Sequence, residues 1–201
     1  MKTPIVSFHN GNLHPDIVRY QKRVFDHFLL PLLQIETKLS HPEAIDDFLN
    51  TKQWESIIIF DIDCIPLNKE APFLAMTKAK QGKIYGAAQQ ANHIPESGVY
   101  ASPAFISFSK DTWKKMNYPS FLHSEFGDVG HELTLYAPLH NVEVELIWPT
   151  HVEVPRWNLG KESTFGLGTT YQTGIFHAFE SRMGNNDIFV NKCKEVLGEN
   201  N

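Results

Sequence analysis

Short apolar runs alternate with helical stretches over the first 82 residues of the chain. The predicted strands are TPIVSF, LLQIETK and the stretch from Ser56 to Asp61. Helical spacing of apolar residues follows each of them, in residues 14–29, 41–54 and 71–82. This order is strand–helix repeated three times, and its strands are continuous apolar runs rather than alternating ones. Such strands are typical of a parallel sheet that is covered by helices on both faces.

After Gly82 the pattern changes to strands with less room for helices between them. The remaining predicted elements are strands at KIYGAAQQA, PAFISFSKDTW and VEVELIW, helices at GDVGHELTLYAPLHN and NNDIFVNKCKEVLG, and a glycine-rich loop feeding a strand at STFGLGTTYQTGIFHAF. No repeat, low-complexity tract or linker divides the sequence. We therefore expect a single α/β domain over residues 1–201, with a central mixed, mostly parallel sheet flanked by helices.

Composition excludes several classes of function. The 201 residues carry a net charge of −5, which argues against nonspecific binding to nucleic acid or to anionic membranes. The longest apolar stretch after the start, FLLPLLQI, contains a proline and is far shorter than the ~20 residues of a membrane-spanning helix. The start of the chain does not look like a signal peptide, and the two cysteines have no metal or redox spacing. A cytoplasmic protein without a membrane span is expected.

Two aspartates end the third predicted strand, in the sequence IIIFDIDCIPLN. Ligands of open α/β sheets bind beyond the carboxyl ends of the strands, which is where Asp61 and Asp63 are expected. Residues two apart on a strand face the same side, so both carboxylates could hold one Mg²⁺ or Mn²⁺ together with phosphate oxygens. The alternative is a plain turn that ends the strand before Pro66.

This stretch also resembles the first motif of haloacid-dehalogenase-type phosphatases, where the first aspartate is a nucleophile and the second a general acid. GDVGHE, with Asp128 and Glu132, resembles the late acidic motif of that family. The match departs from the family in three respects. Two strand–helix units precede the aspartates here, and YPSFLHSEFGD, before the late motif, does not look like the apolar strand that the family has there. Cys64 and Ile65 also replace the small-residue turn that follows the second aspartate.

From about residue 4 to residue 185 the chain resembles glycosyltransferases of the GT-A fold, which bind a nucleotide-sugar diphosphate through a metal on an Asp-x-Asp motif. The order of features carries the resemblance: two strand–helix units, the aspartates, two strands, an acidic helix start and a late histidine. The small size is similar to that of sugar transferases of large DNA viruses and of bacterial surface-polysaccharide clusters. For a viral enzyme the compartment would be the host cytoplasm.

The resemblance implies a metal-dependent hexosyl- or deoxyhexosyl-transferase. It would move a sugar from a UDP- or GDP-sugar donor to a glycan or glycoprotein acceptor, with inversion at the anomeric carbon. Residues 1 to about 95 would form the nucleotide-binding part. Residues from about 96 to 201 would form the acceptor and catalytic part. A binding module that keeps the fold without catalysis remains the third alternative.

The same resemblance implies a metal site and a base. Asp61, Asp63 and His177 would hold Mn²⁺ or Mg²⁺, although a lone histidine on a strand is also a common core residue. Asp128, at the expected start of a helix, would be the catalytic base, with Glu132 one helical turn further as the reserve. The alternative reading of Asp128 is a helix N-cap.

Donor binding is expected from polar residues near strand ends and from a late arginine. These candidates are His9, Asn10 and Gly11 after the first strand, Asp61 after the third, Gln89, Gln90 and Asn92 after the fourth, Ser102 beside Tyr100, and Arg182. Arg182 could pair with the diphosphate or form a surface salt bridge. FGLGTTYQTG, with three glycines, suits a mobile lid over the substrates or a passive surface loop.

Overall fold

A computed structural model describes residues 2–94, 96–125, 127–184 and 186–199, with Arg182 described by its backbone alone. The strands are β1 (Ile5–His9), β2 (Leu32–Glu36), β3 (Ser56–Phe60), β4 (Cys64–Pro66), β5 (Ile84–Gln90), β6 (Val99–Ser109), β7 (Val144–Ile147), β8 (Pro149–Leu159), β9 (Ser163–Tyr171) and β10 (Ile175–His177). The helices are α1 (Pro15–His27), α2 (His41–Thr51), α3 (Glu70–Lys80), α4 (Lys110–Lys115), α5 (His131–Tyr136) and α6 (Asn186–Leu197), with 3-10 turns at Pro138–His140 and Ser181–Met183.

Six strands form the central sheet, in the order β2-β1-β3-β6-β5-β7. Strand β6 is antiparallel to both of its neighbours, while the other neighbouring pairs in this sheet are parallel. The predicted α/β class with a mixed, mostly parallel sheet is therefore confirmed.

Helices cover both faces of this sheet, as the continuous apolar strands predict. Ile5 and Ile58 pack with α1, α3 and α6 on one face. Their strand neighbours Val6 and Ile59 pack with α2, α4 and α5 on the other. Because consecutive strand residues point to opposite faces, both faces of each inner strand must be apolar.

A second, four-stranded antiparallel sheet was not expected from the sequence. Its order is β4-β10-β9-β8. The glycine-rich segment expected as a loop is mostly β9, with residues 165–169 buried, so the mobile-lid interpretation is wrong for that part.

Two helix boundaries also differ from the prediction. Residues 110–113 were assigned to a strand, but they begin α4, because the Ser109 hydroxyl accepts a hydrogen bond from the backbone N–H of Thr112 and caps the helix. The helix expected from Gly127 begins only at His131, because Gly130 precedes it with a left-handed φ of 72°. Across the described residues, every helix falls short of the length and apolar character needed to cross a membrane.

Candidate active site

The two aspartates lie in a tight turn between β3 and β4. The backbone N–H of Cys64 donates to the carbonyl oxygen of Asp61 at 3.0 Å and closes this turn. Strand β3 ends at Phe60, so the expected alternation along a strand is not what brings the carboxylates together. The turn itself directs both side chains to one place at the carboxyl end of β3.

His177 reaches the two carboxylates through strand pairing. It lies on β10 opposite Cys64, directly beside the turn. Its Nε2 atom is 3.0 Å from Oδ1 of Asp63 and 3.8 Å from Oδ2 of Asp61. One potential ligand atom from each of the three residues lies within 4.8 Å of the others. The three residues predicted as metal ligands are thus neighbours.

Asp63 is held in its charged form. It is buried, its Oδ2 accepts a hydrogen bond from the backbone N–H of Ser181, and its Oδ1 faces His177. Burial raises the pKa of the Asp63 carboxyl, but the charge of His177 and the hydrogen bonds from His177 and Ser181 lower it more, so the pKa lies below its ordinary value. A buried carboxylate without such partners would be strongly destabilising.

The chemistry of these side chains fits a hard divalent cation. Two carboxylate oxygens and one imidazole nitrogen are suitable ligands for Mn²⁺, and the oxygens also for Mg²⁺. Asp61 keeps 26% of its side chain exposed, so the group is open to a ligand on one side. The three residues would fill part of an octahedral shell and leave positions for phosphate oxygens.

A buried glutamine that is not among the predicted site residues donates hydrogen bonds to the backbone of this turn. Gln21 of α1 is fully buried, and its Nε2 donates to the carbonyl oxygens of Asp61 and Cys64 at 2.7 and 3.0 Å. Its Oε1 accepts from Nε2 of Gln34 at 3.0 Å. In the sequence, the one sign of this role of Gln21 is that a polar residue lies on the apolar face of the predicted helix.

A cavity of about 360 Å³ opens over the three metal-ligand candidates. Its walls also include Gln89, Tyr100, Ser102 and Asp128, all singled out from the sequence. Two of the residues predicted for donor binding, Gln89 and Ser102, and the predicted base Asp128 therefore share one space with the metal-ligand candidates. Ser102 donates its hydroxyl hydrogen to Oε1 of Gln89, which fixes both side chains at the wall.

Asp128 lies outside the helix and is held by three neighbours. Its Oδ1 accepts from the backbone N–H of Val129 at 2.8 Å and lies 3.2 Å from Nδ1 of His123. The hydroxyl of Tyr100 donates to its Oδ2 at 3.3 Å. Burial raises the pKa of Tyr100, and the charge of Asp128 raises it further, so the phenol stays a donor.

Because α5 begins at His131, Asp128 is not its N-cap, and Glu132 is not one turn along the same helical face. Both the N-cap alternative and the i+4 argument for Glu132 are corrected by this boundary. Glu132 is half-buried, and it is not among the described residues that line the cavity. Arg182 lies in the 3-10 turn after β10, and its side chain is outside the described part of the chain.

His41 is a second residue that the sequence analysis did not assign to the site. It is the first residue of α2, it lines the cavity, and its Nε2 lies 3.9 Å from Oδ1 of Asp61. This nitrogen is buried and lacks a hydrogen-bond partner among the described residues. His41 also lines a narrow cleft of about 10 Å³ that contains His9 and Asn10.

His9, at the end of β1, and Asn10 thus line this cleft rather than the main cavity. Burial lowers the pKa of His9, although the charge of Glu36 opposes this effect. Asn10 accepts a hydrogen bond from the backbone N–H of Asn12, and Gly11 has a φ of 77°, as a turn glycine does. His41, shared by both spaces, connects this cleft to the cavity.

Two of the three amides at the end of β5 are used for internal contacts. Gln90 donates to the carbonyl oxygen of Ser97 and accepts from the backbone N–H of Gly160. Asn92 donates to the carbonyl oxygen of Asn158 and accepts from its backbone N–H. Both lie next to the cavity instead of lining it, while Gln89 lines it directly.

Comparison with known proteins gives similarities of fold. No protein-family model matches the chain, and a search of curated proteins finds no match either. Among solved structures, it is similar to A197 from STIV at 10% identity and a TM-score of 0.47, over 90% of this chain and 95% of that one.

Two further solved structures show similarities of the same order. Drosophila β1,4-galactosyltransferase 7, solved with manganese, UDP-Gal and xylobiose, is 10% identical with a TM-score of 0.49, over 92% and 73% of the two chains. The 4-diphosphocytidyl-2C-methyl-D-erythritol synthase of Anaerococcus prevotii is 10% identical with a TM-score of 0.45, over 73% and 86%. These are similarities of fold alone.

Proposed function

We propose that this chain is a metal-dependent glycosyltransferase that moves a sugar from a UDP- or GDP-sugar to a hydroxyl of a glycan acceptor. One observation carries the proposal. Asp61, Asp63 and His177 converge at the carboxyl end of β3, on the wall of a cavity that also contains Asp128. Cation ligands and a separate carboxylate in one cavity are what transfer from a diphosphate leaving group requires.

Each group has a separate task in this proposal. Asp61, Asp63 and His177 would hold Mn²⁺ or Mg²⁺, which when bound neutralises the negative charge of a diphosphate. Gln89 and Ser102, which also line the cavity, would offer neutral polar atoms to the hydroxyls of the donor sugar. The nucleoside would extend past His41 toward His9 and Asn10.

Asp128 is the base in this proposal, and the reaction is a single displacement. The acceptor oxygen forms a bond to the anomeric carbon while the bond from that carbon to the diphosphate oxygen breaks. The proton of the acceptor hydroxyl goes to Asp128, and the nucleoside diphosphate leaves with the bonding electrons. Attack from the face opposite the leaving group inverts the anomeric configuration. The contacts from Val129 and Tyr100 keep the carboxylate of Asp128 in a fixed orientation for this transfer.

Both cysteines are unpaired and buried, and Cys64 directly follows Asp63 in the site turn. Burial, followed by the charges of Asp63 and Asp61, raises the pKa of the Cys64 thiol well above its ordinary value, which keeps it protonated. We therefore place the enzyme in a reducing compartment, the cytoplasm.

Isothermal titration of UDP and of GDP, with and without Mn²⁺, tests the proposal. One nucleotide is expected to bind in a metal-dependent way, and Asp63→Ala is expected to abolish that dependence. Asp111→Ala is the matched control, because Asp111 is an exposed residue in the first turn of α4. Binding that ignores the metal, or that survives Asp63→Ala unchanged, would overturn the proposal.

Two assays separate the alternatives. A phosphatase of the haloacid-dehalogenase type would hydrolyse p-nitrophenyl phosphate with Mg²⁺, and Asp61→Asn would abolish that hydrolysis. A binding module without catalysis would bind the nucleotide but leave a panel of UDP- and GDP-sugars intact, whereas a transferase is expected to hydrolyse its donor slowly in water.

A further inference from the structure

A second cavity, of about 510 Å³, adjoins the first one. The two cavities share Gln89, Asp128 and Phe179 as wall residues. The proposed base therefore lies at the boundary between the two spaces. In a single displacement the base must lie within hydrogen-bond distance of the acceptor hydroxyl, which in turn lies next to the anomeric carbon of the donor. The first cavity already contains the metal-ligand candidates. The second cavity is thus on the side from which an acceptor would approach.

Three aromatic side chains, Trp157, Phe165 and Phe179, line this second cavity. The ring centroid of Trp157 is 5.2 Å from that of Phe165 and 5.6 Å from that of Phe179. Phe165 and Phe179 are buried, at 3% and 7% exposure, whereas Trp157 is only partly buried. Two buried rings thus support an indole that still offers surface to the cavity.

The strand that carries Trp157 is fastened to the end of β5 by the amides described above. Asn92 exchanges two hydrogen bonds with the backbone of Asn158, both at 2.9 Å. The backbone N–H of Gly160 donates to Oε1 of Gln90 at 2.8 Å. These contacts lie one and three residues beyond Trp157 on the chain. Gln90 and Asn92 are therefore positioning residues for the indole rather than donor ligands.

Phe179 separates the two cavities in an unusual backbone conformation. Its φ is 58° and that of Glu180 is 48°, so two consecutive residues other than glycine are left-handed. Such conformations cost of order 1–3 kcal/mol each and persist only where the surroundings impose them. The ring centroid of Phe179 lies 3.7 Å from that of His177, and the side chain of Glu180 pairs with Arg156 of β8. This turn therefore contacts both His177, one of the metal-ligand candidates, and β8, the strand that carries Trp157.

We propose that the second cavity is the acceptor subsite and that it takes the pyranose ring of a neutral glycoside, stacked on Trp157. This inference rests on the proposed glycosyltransferase function. An aromatic face matches the apolar C–H face of a sugar ring, and the amide of Gln89 matches its hydroxyls. The described wall carries no lysine or arginine, its one carboxylate is Asp128, and its one histidine is His93. A phosphorylated or acidic acceptor would find no permanently charged cation there and would face the carboxylate of Asp128, so an uncharged sugar is the favoured class.

Saturation-transfer NMR tests the subsite directly, with methyl glycosides of glucose, galactose, mannose and xylose as probes. The aromatic protons are irradiated, with and without UDP and Mn²⁺, so that signal passes to a sugar that contacts the rings. At least one glycoside is expected to receive saturation at its ring protons. Trp157→Leu is expected to raise the Kd for that glycoside roughly tenfold, as loss of an aromatic stacking contact implies. Trp157→Phe, which keeps an aromatic face, is expected to retain most of the binding.

The controls separate failure of the subsite from failure of the proposed function. Trp148→Leu is the matched control, because Trp148 is 36% exposed and is not among the described residues of either cavity. Metal-dependent nucleotide binding should be equal in wild type, Trp157→Leu and Trp148→Leu. If Trp157→Leu does not fold, Asn92→Ala provides the test, since it leaves the indole but removes its anchor and should also weaken the glycoside. The inference is overturned if no glycoside receives saturation, or if wild type, Trp157→Leu and Asn92→Ala bind the glycoside equally. The nucleotide titration tests the proposed function independently of either result.

Discussion

Gln21 is completely buried in the apolar face of α1, where its amide nitrogen donates to the carbonyl oxygens of Asp61 and Cys64. These two hydrogen bonds fix the conformation of the turn, and the turn fixes the distance between the two carboxylates. A residue that touches no substrate thereby controls the geometry of the metal-ligand candidates. Outer residues of this kind commonly change metal affinity by about 10–100-fold.

We therefore expect Gln21→Met to weaken Mn²⁺ binding by roughly 10–100-fold while the fold is retained. Methionine has a similar length but cannot donate a hydrogen bond, so both carbonyl oxygens lose the amide donor of Gln21, and that of Asp61 keeps only the backbone N–H of Cys64. The free energy of unfolding should also fall by roughly 1–3 kcal/mol. Titration of Mn²⁺ followed by electron paramagnetic resonance measures the first effect, and urea denaturation the second. The exposed Gln53, changed to Met, is the control. Unchanged Mn²⁺ affinity in Gln21→Met would show that the turn does not depend on this amide.

The second residue to test is the proposed base. Asp128→Asn keeps the size of the side chain, and its remaining oxygen can still accept from Tyr100 or Val129. Nucleotide binding should therefore stay nearly intact, while sugar transfer falls by roughly 10²–10⁴-fold. Kinetics under donor saturation measure the fall, with Asp111→Asn as the control.

Transfer by Asp128→Asn at close to the wild-type rate would remove Asp128 from catalysis and direct the test to Glu132. The anomeric configuration of the product, read by NMR, decides the stereochemical part of the proposal. A product that keeps the configuration of the donor contradicts a single inverting displacement, whatever the mutants show.

At the scale of whole elements, the first three strand–helix units are predictable from local pattern alone. Their strands are apolar on both faces because helices cover both faces, and their helices begin at signals such as Pro15 and the capping box of Ser40 and Glu43. Strand β8 was not predictable in this way. It carries two prolines and many exposed residues, because it lies at the edge of the second sheet, where one side needs no strand partner.

The residues of the candidate site likewise differ in whether local sequence pattern predicts them. Asp61 and Asp63 could be found because their neighbours in the sequence form a buried strand. The contributions of Gln21 and His41 could not, since they depend on how α1 and α2 approach the turn. Gln90 and Asn92 were predicted to contact the donor from their residue type. They instead bind the backbone at and just beyond the end of β8, more than 60 residues away in the chain, and Gln90 also donates to Ser97.

Strand β9 gives a test at this scale, because its glycines are packing positions. A Cβ atom on Gly166 would lie 2.2 Å from the carbonyl oxygen of Val154 and 2.8 Å from the backbone nitrogen of Arg156, both on β8. Gly166→Ala should therefore force β8 and β9 apart and lower the free energy of unfolding by roughly 1–3 kcal/mol. Urea denaturation measures this change.

Gly98→Ala is the control for this experiment. A Cβ atom there meets nothing within 4 Å, and Gly98 is not among the residues with positive φ. Its effect on stability should stay below about 1 kcal/mol. Equal stability of Gly166→Ala and wild type would show that β8 and β9 accommodate the added methyl group, and that Gly166 is not a packing position.

At the scale of the whole molecule, the two halves expected from the sequence are interleaved. Strand β6, from the second half, lies between β3 and β5 of the first half in the central sheet. Strand β4 pairs with β10, which joins residues 64–66 to residues 175–177. The metal-ligand candidates also come from both halves, two before residue 95 and one after it. We propose that residues 1–201 form one domain whose two functional parts fold together.

This arrangement predicts a single cooperative unfolding transition. Tryptophan fluorescence reports on Trp54 and Trp113, which are buried together on one face of the central sheet, and on the more exposed Trp148 and Trp157. Far-UV circular dichroism reports on all elements. The two signals should give the same midpoint in urea, as a two-state domain requires. UDP with Mn²⁺ should shift both midpoints equally, because ligands that bind only the folded state stabilise the whole cooperative unit. A fragment of residues 1–95 should remain unfolded, since without β6 the main sheet is split between β3 and β5. Two separate transitions, or a folded 1–95 fragment, would show that the nucleotide-binding part is an independent domain.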